Sequence, residues 1–442
     1  MRGRLATACM TFLECECGAL VWLIAGTGTI GQIPPSVDRL WIDVLFSAIV
    51  LSAQSARKDR GNRIEAGARV AGLGPANDFD DQTEWETAMT ATSLRRRALN
   101  TSSIALGLAL TLSGPAAAAD LVISNWDGYM APDAMAAFKT ATGIAGEVVV
   151  HATNEEIMGK LIAAGGKGYD VVFVSSPFAE VLNKLGLTEP IDHAKIPNLA
   201  NLYPEATKLP HDAGNAFSVP YTWGTTGLCY RSDLVKTAPT SWSDLLAPSD
   251  EMKGKTTMLA TDRWLLAAGQ LDKGYSVNET DPAKMAEVKD LLISAKKTLL
   301  AYDDTTFYSK LVSGEALMVQ AWDGWCNYGI ADKPEIKYVI PKEGSDLWVD
   351  TMVVMKASEH KDDAFKFINF MLDAKNHAWA AQNIDYKVPN KPAMESLPAD
   401  FLAKFPNMAM PVADLVKFEQ LRDVGEAQRD YSKIVSEIKA AQ

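Results

Sequence analysis

Tryptophan and aspartate recur within two positions of each other in this chain, in Asn125-Trp126-Asp127-Gly128-Tyr129, Thr261-Asp262-Arg263-Trp264, Trp322-Asp323-Gly324-Trp325 and Trp348-Val349-Asp350, and a further tryptophan stands in Tyr221-Thr222-Trp223-Gly224-Thr225. A further segment, Ser175-Ser176-Pro177-Phe178, adds two hydroxyls and a ring. The chemistry that uses an indole beside a carboxylate is capture of an organic cation. An ammonium over an indole face gains about 0.5–2 kcal/mol, more as water is excluded. A carboxylate adds a charge-assisted hydrogen bond. Aromatic walls also sandwich the methylenes between two amino groups, so a long diamine meets both kinds of contact. A single tryptophan at a strand end can equally cap a core; it is the recurrence of the pair that favours a binding site.

Other chemistries find little to stand on. From Asp120 onward there is no Gly-x-Ser-x-Gly elbow. The five histidines (His151, His193, His211, His360, His377) are isolated in sequence and are expected at the surface, and no His-x-x-x-His or Cys-x-x-Cys pair offers a metal site. Asp303-Asp304 reads as a cap for a helix beginning near Thr305 rather than as an acid–base pair. Gly26-Thr27-Gly28-Thr29-Ile30-Gly31 spells a dinucleotide fingerprint, but Gln32-Ile33-Pro34-Pro35 follows where a helix would have to begin. Cys9, Cys15 and Cys17 have no partners at metal-site spacing. No enzyme activity, cofactor or metal is expected.

The elements that would position the tryptophan–aspartate segments are legible from residue 120 on. Leu121–Ser124, Glu147–Val150 and Asp170–Val174 read as strands. Pro132–Thr140 reads as a helix ending before Gly143, and Thr153-Asn154-Glu155-Glu156 is a capping box for a second helix to about Ala164. This alternation predicts the start of a doubly wound parallel sheet. Further strands are expected at Phe217–Tyr221, Thr226–Tyr230, Thr256–Leu259, Leu317–Ala321, Lys337–Ile340 and Leu347–Met355. Helices are expected at Trp242–Leu246, Arg263–Leu271, Ala283–Lys297, Phe307–Val312 and Ala364–Leu372, with interrupted helix over 400–442. In such sheets ligands bind beyond the carboxyl ends of the strands, which is where most of these segments fall.

Upstream, Arg95–Arg97, the short apolar run Ile104–Leu112 and Ala116–Ala119 have the order of a secretory signal, too short to span a bilayer stably. Residues 89–119 are expected to be an export signal starting at Met89, and 1–88 a mis-assigned start or an unstructured leader. The first 119 residues hold 11 basic and 11 acidic residues, so the net charge of −12 is carried by the 323 residues that follow. An acidic chain of that kind argues against nucleic acid or an anionic membrane as partner. Cys229 and Cys326 could pair in an oxidising compartment, but nothing in the sequence brings them together, and two cysteines do not make a disulfide framework.

With these residues in place, the chain from 120 to 442 resembles the periplasmic spermidine/putrescine-binding proteins of ABC importers. The landmarks are Asn125–Tyr129, Asn154–Glu156, Gly168–Val172, Val219–Gly224, Ser241–Leu245, Pro341–Gly344, Trp348–Asp350 and Phe367–Phe370, in that order and spacing. The resemblance implies an α/β fold, a two-lobed periplasmic-binding-protein clamshell (type II-like) with a mixed sheet flanked by helices in each lobe. Lobe 1 would be 120–221 plus 323–371 and lobe 2 would be 222–322 plus 372–442, with crossings near Tyr221–Gly224, Trp322–Gly324 and residue 371. It implies a monomeric, non-catalytic periplasmic protein that hands a small amine to an inner-membrane permease. Trp126 and Tyr129 would be walls of the first lobe, Ser175 a polar contact, Trp322 a wall near the hinge and Asp350 an acid. The chain departs from the family pattern at Pro177, where a tyrosine is common, and at Trp264, where a second carboxylate is expected. It departs again after the Trp322 strand, where Asp323 is displaced from the family's acid position and Trp325 occupies it. The expected ligand contacts are therefore Trp126, Asp127, Tyr129, Ser175, Ser176, Phe178, Trp223, Asp262, Trp264, Trp322, Asp323, Trp325 and Asp350. A more aromatic, less acidic pocket leaves a shorter amine, an opine or amino-acid-like ligand, or ligand presentation to a chemoreceptor as alternatives.

Overall fold

The computed structural model describes residues 121–441 and three short strands near the start. Those strands, Met10–Glu14 (β1), Leu20–Ile24 (β2) and Ile30–Gln32 (β3), pair antiparallel in a sheet of their own. β3 takes up the end of the glycine motif, so a strand lies where the dinucleotide fingerprint requires a helix. The expected export signal at 89–119 lies outside the described residues.

The remaining strands are Leu121–Asn125 (β4), Gly146–Val150 (β5), Val171–Ser175 (β6), Val219–Arg231 (β7), Thr256–Met258 (β8), Ala301–Tyr302 (β9), Met318–Trp322 (β10), Ile336–Val339 (β11), Asp346–Val354 (β12) and Glu419–Gln420 (β13). Helices of seven residues or more are Ala134–Thr142 (α1), Asn154–Ala163 (α2), Ser176–Lys184 (α3), Asp262–Asp272 (α4), Pro282–Lys296 (α5), Phe307–Ser313 (α6), Asp323–Asp332 (α7), Lys361–Met371 (α8), Ala374–Ile384 (α9) and Gln428–Ala440 (α10). The strand order is β5-β4-β6-β12-β7-β10-β8-β9, with β11 also on β7 and β13 on β12. β4, β5 and β6 are parallel, as the alternation predicts. β12 then runs antiparallel to both β6 and β7, which makes the sheet mixed.

Local signals account for most of these elements. β6 is buried along its whole length, which its unbroken Val-Val-Phe-Val run requires. Thr153 Oγ1 accepts from the Glu156 amide at 3.1 Å, while the Glu156 carboxylate reaches back to the Ala152 amide at 2.7 Å. Gly143 ends α1 at φ 80°. Asp303 accepts from the amides of Thr305 and Thr306, fixing the start of α6.

Two expectations are corrected. Phe217–Tyr221 and Thr226–Tyr230 are not separate strands: β7 runs unbroken through Trp223 and Gly224 for 13 residues. Gly224 is needed inside that strand because a Cβ there would lie 2.4 Å from both the Trp348 ring and Asp323 Oδ1. The second correction concerns the histidines. His151, His211 and His377 are buried, and burial lowers each pKa to about 4, so they are neutral hydrogen-bonding groups of the interior.

β7 joins the two halves of the sheet. Its first part, Val219–Thr225, pairs with β12; its second part, from Thr226, pairs with β10 and β11. Cys229 on β7 and Cys326 on α7 form a disulfide with a Cα–Cα distance of 5.9 Å across 97 residues of sequence. The pairing follows from topology, because α7 leaves β10 directly and packs back on β7 and β11. The segment from Glu419 to Asp423 also touches both halves. Glu419 accepts from Ser276 and Asn278, whereas Gln420 donates to Ser176 and Arg422 pairs with Glu180 at 2.6 Å.

Candidate ligand-binding site

The register where β7 changes partners defines one face. Trp348 lies opposite Gly224, and Asp350 opposite Thr222, between β12 and β7. Trp322 lies opposite Thr226 between β10 and β7. Because side chains alternate along a strand, Thr222, Gly224 and Thr226 share a face with Trp348, Asp350 and Trp322. The carboxyl ends of β4, β6 and β10 reach this same region.

Asp350 is the best-organised group on that face. Tyr129 donates its hydroxyl to Asp350 Oδ2 at 2.7 Å, and Ser175 Oγ donates to Oδ1 at 2.7 Å. Tyr129 also lies 2.6 Å from Thr222 Oγ1. Asn154, at the start of α2, holds Ser175 from both sides: its Nδ2 donates to Oγ at 3.1 Å and its Oδ1 accepts from the Ser175 amide at 3.0 Å. Burial raises the Asp350 carboxyl to about 6, against the two hydroxyls that favour its charged form. Trp126 stands edge-on to Tyr129 with ring centroids 5.3 Å apart and is backed by His151 at 4.9 Å.

A second aromatic group comes from the other half of the sheet. Trp322 makes a T-shaped contact with Trp264 at 5.4 Å and touches Phe307 at 6.5 Å. Trp325 packs on Phe307, Tyr308 and Tyr328. Tyr386 links the two groups, 5.3 Å from Tyr129, 5.6 Å from Trp348 and 6.3 Å from Tyr328. At the rim, Glu155 of α2 is raised by its crowded setting and then by the charges of Asp262 and Asp304, so acids from both halves face one another there.

Asp323 holds the crossing itself. It accepts from the Thr225 amide at 3.1 Å, from Thr225 Oγ1 at 3.3 Å and from the Gly324 amide at 2.9 Å. Burial raises its carboxyl to about 7, opposed by those amides and by Lys387. Lys387, which donates to the Met410 carbonyl, is itself lowered to about 8 by burial, with Asp323 pulling the other way.

Of the expected contacts, the structure brings Trp126, Tyr129, Ser175 and Asp350 into one cluster and Trp264, Trp322 and Trp325 into the facing one, with Asp323 between them and Asp262 at the rim. Trp223 is not among them. It is fully buried on the opposite face of β7 and stacks on Tyr203 at 6.1 Å. Ser176 is buried and bonded to Gln420, Phe178 packs beside the core formed by Val172 and Val174, and Asp127 is exposed at the turn tip. Tyr386, Thr222 and Asn154 are not among the ligand contacts expected from sequence. Strand alternation back from Asp350 would have drawn Trp348 into the set, but no local pattern marks Tyr386, which follows a left-handed Asp385 at the end of α9.

No helix among the described residues is long and apolar enough to cross a membrane. Residues 133–409 match the family model described as bacterial extracellular solute-binding protein. The chain is 31% identical over 335 residues to spermidine/putrescine-binding periplasmic protein 1 of Haemophilus influenzae, covering 75% of this chain and 92% of that protein. It is 30% identical over 338 residues to the spermidine/putrescine-binding periplasmic protein of Escherichia coli, covering 75% and 96%. A solved structure of a putative spermidine/putrescine ABC transporter protein from Listeria monocytogenes superposes with a TM-score of 0.68 at 29% identity, covering 73% of this chain and 99% of that one. With its mixed sheet, its crossing strand and these relatives, the chain belongs to the bacterial extracellular solute-binding proteins, a family of two-lobed α/β binding proteins that serve transporters.

Proposed function

We propose that this chain captures a linear amine in the periplasm and delivers it to an inner-membrane ABC permease, without catalysing a reaction. The observation that carries this reading is Asp350: a half-buried carboxylate at the crossing of the sheet, held by Tyr129 and Ser175, with Trp126 and Tyr386 packed on Tyr129 and Trp348 packed on Tyr386. An ammonium there would receive a charge-assisted bond and indole faces together. The relatives named as spermidine/putrescine-binding proteins support the same class of ligand.

The lobe division we favour follows the sheet. One lobe holds β4–β6, β12 and α1–α3. It also takes α8 and α9, because Asn198 and Asn201 bond to Asn369 and Leu372. The other lobe holds β8–β11 with α4–α7 and α10, since α7 packs on β10 and β11 and α10 on α4 and α5. β7, the first residues of β12 and the 419–423 segment would be the crossings, so that α7 and β11 fall in the second lobe and α9 in the first, unlike the division expected from the sequence. A ligand touching both lobes favours closure by the excess of its contacts in the closed state. We place the mature start at Asp120 and read the protein as a monomer.

The test is isothermal titration of the full chain against putrescine, spermidine, small neutral amino acids and phosphate. Micromolar or tighter binding of an amine is expected. Binding of an anion, or of a neutral amino acid, with no amine would overturn the reading. N-terminal sequencing of exported protein is expected to give Asp120, and a start before residue 89 would refute the leader assignment.

A further inference from the structure

Ser175 stands at the N-cap of α3, where a serine oxygen ordinarily accepts from an amide of the first turn, yet its side chain makes no capping bond. Its buried Oγ is turned instead to Asn154 Nδ2 at 3.1 Å and to Asp350 Oδ1 at 2.7 Å. A good capping residue has thus been diverted from its helix to the site.

Asn154 decides which way the bonds around that hydroxyl run. The Ser175 amide can only donate, so the Asn154 atom 3.0 Å from it is the carbonyl oxygen. That turns the Asn154 amide nitrogen toward Ser175 Oγ, where it also can only donate. A serine hydroxyl has a single proton. With a donor already aimed at its oxygen, that proton goes to Asp350. Tyr129 repeats the arrangement on the other carboxylate oxygen: while it donates to Oδ2, the Thr222 hydroxyl 2.6 Å away is left to donate to Tyr129. A protonated Asp350 would have to give its own proton to one of these hydroxyls and strand theirs. A carboxylate accepts both and keeps about two of its roughly four lone-pair sites for a ligand.

Asn154 is placed by a local signal. It is buried and is the first residue of α2, directly after Thr153, whose capping box with Glu156 fixes the start of that helix. Other ionisable groups leave the arrangement alone. Tyr129 and Tyr386 face Asp350, and burial raises both phenols well above their usual value, so they stay neutral. Beside Asn154, Glu155 faces Asp262 and Asp304, Glu156 pairs with Lys160, and His151 is neutral.

We infer that Asn154 is a positioning residue of the amine site: it commits the Ser175 proton to Asp350, so that the carboxylate meets the ligand as a charged acceptor. The inference rests on the amine reading given above. Without Asn154, the Ser175 hydroxyl is free to turn back and cap α3. A carboxylate that loses a bond to its charged form takes up a proton at higher pH.

The experiment is titration calorimetry of the full chain with putrescine and spermidine from pH 5 to 8, for wild type, Asn154→Ala, Ser175→Ala and the double variant. The carboxyl carbon resonance of Asp350, assigned with Asp350→Asn, is titrated in the same ligand-free proteins. Each single variant is expected to move the Asp350 midpoint up by about one pH unit, and to lose about fivefold more affinity at pH 6 than at pH 8. The double variant is expected to match Ser175→Ala, because Asn154 acts through Ser175. Additive shifts, or an affinity loss in Asn154→Ala that is the same at every pH, would make Asn154 a structural residue and overturn the inference while leaving the amine reading intact. A wild type that binds no amine overturns the amine reading, and the assignment of Asn154 to an amine site with it. If Asn154→Ala does not fold, Asn154→Asp has the same shape and keeps the bond to the Ser175 amide, but takes the Ser175 proton for itself. The same upward shift is then expected, and a shift that persists in full with Ser175→Ala would be an effect of charge alone and would overturn the inference.

Discussion

The hydroxyl of Tyr129 donates to Asp350 at 2.7 Å while sitting 2.6 Å from Thr222, so residues from the loop after β4, from β12 and from β7 meet at one carboxylate. Ser175 closes the other oxygen from the end of β6. Four segments far apart in sequence thereby fix one charge. Hydrogen bonds to a charged group are worth about 1.5–3 kcal/mol. Tyr129→Phe is therefore expected to weaken amine binding by about tenfold to a hundredfold, and Asp350→Asn by at least as much, with unchanged far-ultraviolet circular dichroism. Titration calorimetry reads both. An Asp350→Asn variant that binds as well as wild type would remove Asp350 from the site.

Binding and stability should respond to pH with opposite signs. An ammonium needs the ionised carboxylate, and burial holds the Asp350 carboxyl at about 6. Affinity is expected to be full above pH 7 and to fall below pH 6, by up to tenfold per pH unit. For the ligand-free protein, a folded pKa above the unfolded value of about 3.9 means that the native state binds more protons in between. The stability this group contributes is present below about pH 4 and lost as pH rises through 6. Asp350→Asn should thus raise the melting temperature of the ligand-free protein at pH 8 and change it little at pH 4. Calorimetry and thermal melts over pH 4–8 measure both slopes.

These assignments mark where sequence reasoning reached and where it stopped. The capping box at Thr153, the stop at Gly143 and the buried run of β6 are set by residues within a few positions of each other, and each is where local chemistry puts it. The break assigned between Tyr221 and Thr226 failed because glycine beside an aromatic reads as a turn. Here Gly224 serves close packing against Trp348 and Asp323, residues more than 95 positions away. The buried histidines were missed for a related reason. His377 is set by its stacking on Tyr221 and its bond to the Tyr221 carbonyl at 2.9 Å, neither visible near residue 377. Trp223 shares its neighbours' composition but, one residue out of phase with Thr222 and Gly224, falls on the other face of β7.

That phase difference is testable. Trp223→Ala deletes a fully buried ring and is expected to cost about 3–5 kcal/mol of stability, while the folded fraction keeps amine affinity within threefold. Trp322→Ala, on the site face and only half-buried, should do the reverse: a modest loss of stability and at least a fivefold loss of affinity. Urea titrations paired with calorimetry distinguish them. Similar affinity losses in both variants would mean that both faces of the strand report to the ligand.

The disulfide closes a loop of 97 residues between Cys229 and Cys326. Loops of that size lose considerable entropy in the unfolded chain when cross-linked, and native disulfides typically contribute about 2–4 kcal/mol. Both half-cystines lie within the second half of the sheet, Cys229 on β7 beyond its crossing and Cys326 on α7, and both are buried. The bond therefore ties α7 to β7 within the second half of the sheet and spans no part of the pairing between β7 and β12. Replacing both cysteines with serine, or reducing the protein, is expected to lower the urea midpoint by an amount equivalent to about 2–4 kcal/mol. Amine affinity at low denaturant should stay within threefold. Affinity lost without loss of stability would place the disulfide in the closure of the cleft rather than in the bracing of a lobe.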